Sequence, residues 1–237
     1  MQALPLAVLG ACGSADDMNT RREALIAEIE ADVRLTAHEL GFSRLDPAVI
    51  EALRSVPRHA FVPEWQLELA YGNHPLPIGA GQTISQPYIV AIMSQLLRVG
   101  KGDRVFELGT GSGYQAAVLA AMGVEVYTVE IVAELAERAR QTLDDLGYDR
   151  VQVRAGDGWL GWPEAAPFDG IIVTAAAPRI PEPLVEQLKT GGRLVIPVGQ
   201  PDGAQQLVVY EKEASGELVG RHHLPVRFVP VTGGHGR

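Results

Sequence analysis

From residue 103 onward, short apolar runs rich in β-branched residues alternate with longer stretches of helical period, and this alternation narrows the fold more than any other feature. Arg104-Val105-Phe106-Glu107-Leu108 reads as a strand and residues 114–122 as a helix. A strand at 124–129 precedes a helix at 132–146, and further strands follow at 151–154 and 170–173. A helix at 182–188 then leads into a fifth strand at 193–198. Such a succession builds a parallel sheet covered on both faces. Residues 206–211 and 224–231 have no helix between them and predict antiparallel strands at the sheet edge. The fold class is therefore α/β: a doubly wound, Rossmann-like sheet, mostly parallel, with antiparallel C-terminal strands and an N-terminal helical extension.

Upstream, Leu25, Ile29 and Val33 recur every four residues and predict a helix over 20–40. A short helix over 46–53 has Asp46 at its N-cap and Pro47 as its first residue, and Pro57 ends it. Residues 56–81 read as a loop carrying Pro57, Pro63, Pro75 and Pro77, and a loop that long is commonly functional. Helix returns at 87–97. The 237 residues suit one large domain with additions. We divide them into a tail (1–20), N-terminal helices with a covering loop (21–100) and a ligand-binding core with C-terminal strands (101–237), with 21–237 acting as one domain.

A single cysteine excludes an internal disulfide and a multi-cysteine zinc site. His59 has no nameable partner and reads as structural, while His222 and His223 alternate on a strand and cannot chelate together, so no metal is expected. With 20 basic against 29 acidic residues, the net charge of −9 argues against nucleic acid as a partner. No apolar run reaches the length of a transmembrane helix, so stable membrane insertion is not expected. Leu9-Gly10-Ala11-Cys12 resembles a lipoprotein processing site, but the apolar run before it is short and no basic residue precedes Arg21. Cytoplasmic placement is the expectation, with the cell envelope as the alternative if Cys12 is processed.

Glu107-Leu108-Gly109-Thr110-Gly111-Ser112-Gly113 joins the first strand of the alternation to its helix. Glycines there let backbone approach a ligand closely. The dinucleotide fingerprint would need glycine at 114, where Tyr114 stands, so a pyrophosphate cradle fits poorly. Glu130 ends the second strand, where such folds place a carboxylate against ribose hydroxyls, and Asp157-Gly158 follows the third. Three acids at one sheet edge suit a nucleoside carrying positive charge, of which S-adenosylmethionine is an example. Glu130 also reads as a helix-entry acid. Trp159 and Trp162 read first as core and second as the floor of an adenine pocket.

These residues resemble the cofactor motifs of class I S-adenosylmethionine-dependent methyltransferases. Within that superfamily, Val56-Pro57-Arg58-His59-Ala60-Phe61-Val62-Pro63 and Gly81-Gln82-Thr83-Ile84-Ser85-Gln86-Pro87-Tyr88 resemble the protein-L-isoaspartate (D-aspartate) O-methyltransferases. So do Leu76-Pro77-Ile78-Gly79, Gly156-Asp157-Gly158-Trp159, Pro167-Phe168-Asp169, the run from Gly191 to Gly199, and Val226-Arg227-Phe228-Val229-Pro230. The match runs in order from about residue 40 to residue 232.

The resemblance implies methyl transfer from S-adenosylmethionine, as cosubstrate, to the free α-carboxylate of L-isoaspartyl residues in damaged proteins and peptides, with D-aspartyl residues as a further substrate. A carboxylate of pKa about 3.5 is ionised at neutral pH and needs no general base. By the same resemblance Ser85 is the active-site serine, holding the substrate carboxylate; a helix N-cap before residue 87 is its structural alternative. Thr83 and Ile84 match the segment that covers the cofactor, and Thr232 lies in the C-terminal contact region. Glu107, Gly109, Gly111, Gly113, Glu130, Asp157 and Gly158 complete the cofactor set. The partners implied are isoaspartyl proteins and peptides, and the chain is expected to be a monomer. Two other readings stand beside this one, a small-molecule carboxyl methyltransferase and a non-catalytic nucleotide-binding module. In place of the Asn-Pro-Pro-Tyr-like run of nucleic-acid amino methyltransferases, residues 174–178 read Thr-Ala-Ala-Ala-Pro.

Overall fold

The computed structural model describes residues 15–200 and 203–233. The Cys12 reading lies outside them. Helix α1 (Ala15–Leu35) stops before Thr36, and α2 (Ala37–Leu40) is a separate turn, so the helix predicted over 20–40 begins earlier and is broken. The Thr36 hydroxyl donates to the Asp32 carbonyl at 2.8 Å, which takes up a helix-end acceptor. Helix α3 (Pro47–Ser55) has Asp46 as its N-cap and Pro47 in its first turn, although the Asp46 side chain makes no cap hydrogen bond.

The stretch predicted as loop is more ordered than its prolines suggest. Two 3₁₀ turns, Arg58–Phe61 and Glu64–Leu69, lead to an antiparallel hairpin of β1 (Leu76–Gly79) and β2 (Gln82–Ile84). Ala80 and Gly81 form its two-residue turn, both left-handed at φ 51° and 71°, the geometry that a tight hairpin needs. The alternation of Leu76 and Ile78 inward with Pro77 outward was the strand signal that the prolines masked. Helix α4 (Pro87–Leu97) follows.

The remaining elements are β3 (Arg104–Leu108), α5 (Tyr114–Ala121), β4 (Glu125–Glu130), α6 (Ala133–Asp145), β5 (Val151–Ala155), β6 (Phe168–Val173), α7 (Glu182–Gln187), β7 (Leu188–Gly199), β8 (Gln205–Lys212) and β9 (Leu218–Val226). Among the described residues, β3–β9 make one sheet in the order β5-β4-β3-β6-β7-β8-β9. The first five strands pair in parallel and the last two join antiparallel. The doubly wound α/β class is the one observed. The last strand differs in position from the 224–231 prediction. A tight turn, in which the Glu213 N–H donates to the Glu217 carbonyl, starts pairing at Lys212 and Leu218, and the pairing ends where both strands end, at Gln205 and Val226. Residues 227–233 then leave the sheet and cross its carboxyl edge.

Alternation along the strands sorts the core. Val105, Val126, Ile172 and Val195 pack under the helix-rich layer of α1 and α3–α6. Phe106, Tyr127, Ile171 and Leu194 face the opposite layer with Trp159, Trp162 and Leu184. The order reverses at β3, which lies between β4 and β6, and this switch point opens a crevice beyond the strand ends. No helix of the described residues is long and apolar enough to cross a membrane.

Candidate active site

That crevice is a cavity open to solvent, about 770 Å³ when the solvent-filled mouth is counted. Its lining brings together Thr83, Ile84, Ser85, Glu107, Gly109, Gly111, Glu130, Asp157, Gly158 and Thr232, residues spread over 150 positions of sequence. Gly113 alone of the predicted set does not line it. A Cβ on Gly113 would lie 3.1 Å from Leu143 and 3.5 Å from Ala139, so this glycine lets α6 pack against the loop and faces away from the ligand space.

The loop is held from two strands. Glu130 accepts from the Gly111 N–H at 2.8 Å and, through its other oxygen, from the Val132 N–H at 3.0 Å. Thr174, just beyond β6, donates its hydroxyl to the Leu108 carbonyl at 3.0 Å and also to that of Gly109. A Cβ on Gly109 would meet that hydroxyl oxygen at 2.6 Å, so the close approach demands glycine. Gly158 is constrained in the same way by Leu108, 2.7 Å from a Cβ built there.

Glu107 is fully buried and neither carboxyl oxygen has a hydrogen bond of normal geometry. Burial pushes its pKa up to about 8, the neighbouring Thr128 hydroxyl counters this in part, and the Glu130 charge adds to it. Thr128 itself is bonded to Thr110 at 2.7 Å. Asp157 caps the 3₁₀ turn at Gly158–Leu160, accepting from the Trp159 N–H at 3.0 Å. A buried carboxyl beside an open cavity is a ready partner for ammonium, sulfonium or hydroxyl donors. The acids, the open space and the glycine backbone therefore fit a positively charged nucleoside.

Trp159 lines the cavity, whereas Trp162 packs edge-on against Tyr127 at 5.4 Å, in the core. The other walls escaped the sequence reading. Thr174 and Ala175 come from the end of β6, and Val229, Pro230 and Val231 from the C-terminal crossing. That crossing is anchored where the Ala176 N–H donates to Val229 and the Val231 N–H to Ala176, each at 2.8 Å.

Ser85 is not the helix N-cap. Gln86 takes that position and Pro87 starts the helix, so no cap bond is available to the serine. Its carbonyl accepts from the guanidinium of Arg58 at 2.9 Å, a fully buried side chain that also donates to the Ala70 carbonyl. Two of the segments that resemble the family, around Arg58 and Ser85, are thus bonded to each other. His59 is not among the residues that line the cavity. Its Nδ1 meets the Tyr71 hydroxyl at 2.8 Å, and burial lowers its pKa. His223 bonds the Glu39 carbonyl at 2.9 Å while His222 is exposed. Among the described residues, no group of three or more His, Cys, Asp or Glu could hold a metal ion.

A second, wider groove, about 1320 Å³ with its solvent-filled mouth counted, shares Thr83, Ser85, Thr174 and Val229 with the first. One wall therefore divides an acid-lined space from a groove open to α1, α4 and β9.

A family model described as protein-L-isoaspartate(D-aspartate) O-methyltransferase matches residues 36–236. A protein-L-isoaspartate O-methyltransferase 2 of Syntrophobacter fumaroxidans is 56% identical over 233 residues, covering 98% of this chain and 94% of its own. A protein-L-isoaspartate O-methyltransferase of Gloeobacter violaceus is 58% identical over 185 residues, 78% of this chain and 90% of its own. Among solved structures, a protein-L-isoaspartate O-methyltransferase aligns with a TM-score of 0.79 at 30% identity, over 91% of this chain and 67% of that one. A Plasmodium falciparum chain in complex with S-adenosyl-L-homocysteine shares the fold, with a TM-score of 0.72 at 23% identity over 91% of this chain and 98% of its own.

Proposed function

The chain belongs to the protein-L-isoaspartate(D-aspartate) O-methyltransferase family, and we propose how its residues divide the work of moving a methyl group from S-adenosylmethionine to the free α-carboxylate of an isoaspartyl residue. When bound, S-adenosylmethionine supplies an electrophilic methyl carbon on a positively charged sulfur, which leaves as the thioether when a carboxylate oxygen takes the methyl group. The resulting ester closes to a succinimide more readily than the acid does, opening a route back to a normal peptide link.

Glu107 receives the cationic end of the cosubstrate, in keeping with its buried carboxyl. Glu130 already accepts two backbone donors, but a carboxylate has about four acceptor positions, so it can also take ribose hydroxyls. Asp157 and Trp159 serve the base. Gly109 and Gly111 bring backbone close, Gly158 and Gly113 allow the packing that shapes the loop, and Thr83, Ile84 and Thr232 cover the ligand. Ser85 holds the substrate carboxylate from the shared wall. No side chain has to remove a proton, since the nucleophile is already ionised; the work is alignment and exclusion of water.

The wall common to the two cavities carries this reading. A carboxylate held at Ser85 from the groove side meets a methyl group presented from the acid-lined side. Incubation of methyl-labelled cosubstrate with an isoaspartyl peptide should release volatile label as the ester hydrolyses. Equal release from the ordinary aspartyl peptide would refute it.

We extend the reading to a monomer in the cytoplasm that does not bind nucleic acid. The net charge of −9 supports the last point. A charged cosubstrate does not cross a bilayer unaided, which supports the second. Among the described residues, large exposed apolar side chains are scattered over separate elements, apart from Trp65 and Leu69 on one turn, which supports the first.

A further inference from the structure

The groove on the far side of Ser85 has an apolar wall made of Leu35, Pro75, Ile89, Pro225, Val226 and Phe228. Leu35 is the unusual member. It closes α1, a helix that lies before the region matched by the family model, and its side chain is 81% exposed. A leucine this open at the mouth of a groove gains free energy only when something apolar covers it.

Its position is held from both sides. Asp32 accepts from the Asn73 side chain at 2.8 Å, and Asn73 in turn accepts from the Tyr88 N–H at 3.0 Å. One residue past Leu35, the Thr36 hydroxyl meets the Tyr88 hydroxyl at 2.6 Å. These bonds clamp the last turn of α1 to the first turn of α4, which begins two residues after Ser85. The leucine therefore stands at a fixed place relative to the serine, and the groove it borders is continuous with the reacting wall.

We propose that Leu35 is a specificity-determining residue, presenting an apolar surface to a residue that flanks the isoaspartyl unit and favouring substrates with an aliphatic or aromatic side chain there. The proposal rests on the reading of this groove as the peptide side of the active site. Leu35 touches the substrate away from the reacting atoms, so its effect falls on substrate capture and not on the chemical step.

The test compares kcat/KM for three sets of isoaspartyl peptides, with Ser, Leu or Phe on the amino or the carboxyl side, in wild type and in Leu35→Ser. Wild type should prefer Leu or Phe on one side by about five-fold or more. Leu35→Ser should abolish that preference through KM, leaving kcat, the Ser-flanked peptides and the Kd for S-adenosylhomocysteine unchanged. Leu35→Met, which keeps an apolar surface, should restore it. No wild-type preference on either side, or a preference that Leu35→Ser leaves intact, would overturn the proposal while leaving the methyltransferase reading in place. Failure to methylate any isoaspartyl peptide would overturn both.

Discussion

Glu130 accepts a hydrogen bond from the backbone N–H of Gly111 at 2.8 Å, so the last residue of β4 holds the middle glycine of the loop that leaves β3. A carboxylate placed to meet a ligand is thus already shaping the loop that meets the same ligand. Its second oxygen fixes Val132 at the entry to α6, joining the glycine loop, β4 and α6 through one side chain.

Glu130→Gln should weaken binding of S-adenosylhomocysteine by about 10–100-fold, because the amide keeps one acceptor and turns a donor toward one of two backbone N–H groups. Titration calorimetry measures it. An unchanged Kd would show that the carboxylate serves neither loop nor ligand.

Glu107 makes stability depend on pH with a definite sign. Its folded value of about 8 lies above the ordinary 4.5, so the ligand-free fold retains a proton that the unfolded chain has released. The stability it contributes is fully present below about pH 4.5 and is lost as pH rises through 8. Glu107→Gln should remove that slope, becoming more stable than wild type by on the order of 4 kcal/mol near pH 8 and equal to it near pH 4. Parallel pH dependences of the two proteins in chemical denaturation would contradict this. Cosubstrate binding at pH 7 should also release up to one proton in wild type and none in the variant.

Ser85→Ala tests the active-site role apart from folding, since no cap bond depends on the hydroxyl. We expect kcat to fall about 10–100-fold while Tm stays within about 1 °C and cosubstrate affinity within about twofold. Full activity would remove the serine from the mechanism.

Two alanine substitutions in the glycine loop should separate packing from binding. At Gly113, φ is +89° and Leu143 lies 3.1 Å from the added carbon, so Gly113→Ala should cost about 1–3 kcal/mol and lower Tm by several degrees. At Gly111 φ is also positive, +54°, so alanine carries a backbone cost of about 1 kcal/mol there too, but the nearest atom is Ile78 Cδ1 at 3.7 Å, no packing clash follows, and the residue lines the cavity. Gly111→Ala should therefore affect cosubstrate affinity more than Tm. The reverse pattern would interchange the roles assigned to the two glycines.

The sequence by itself determined the alternation of strands and helices after residue 103, the glycine loop between β3 and α5, and the acids at the ends of β4 and β5. All of these depend on local periodicity and on strand-end position, which neighbouring residues dictate. The order of the family-like segments along the chain also carried the family relationship. Tertiary structure alone decided which side each residue faces and what meets it there. It turned Gly113 toward Leu143, moved the N-cap from Ser85 to Gln86, and brought Thr174 and residues 229–231 to the cavity. It also ended β9 at Val226 and clamped Asp32 to Asn73, 41 residues away. A hydrogen bond or a packing contact across that distance depends on where the chain returns, and nothing in a local pattern records that.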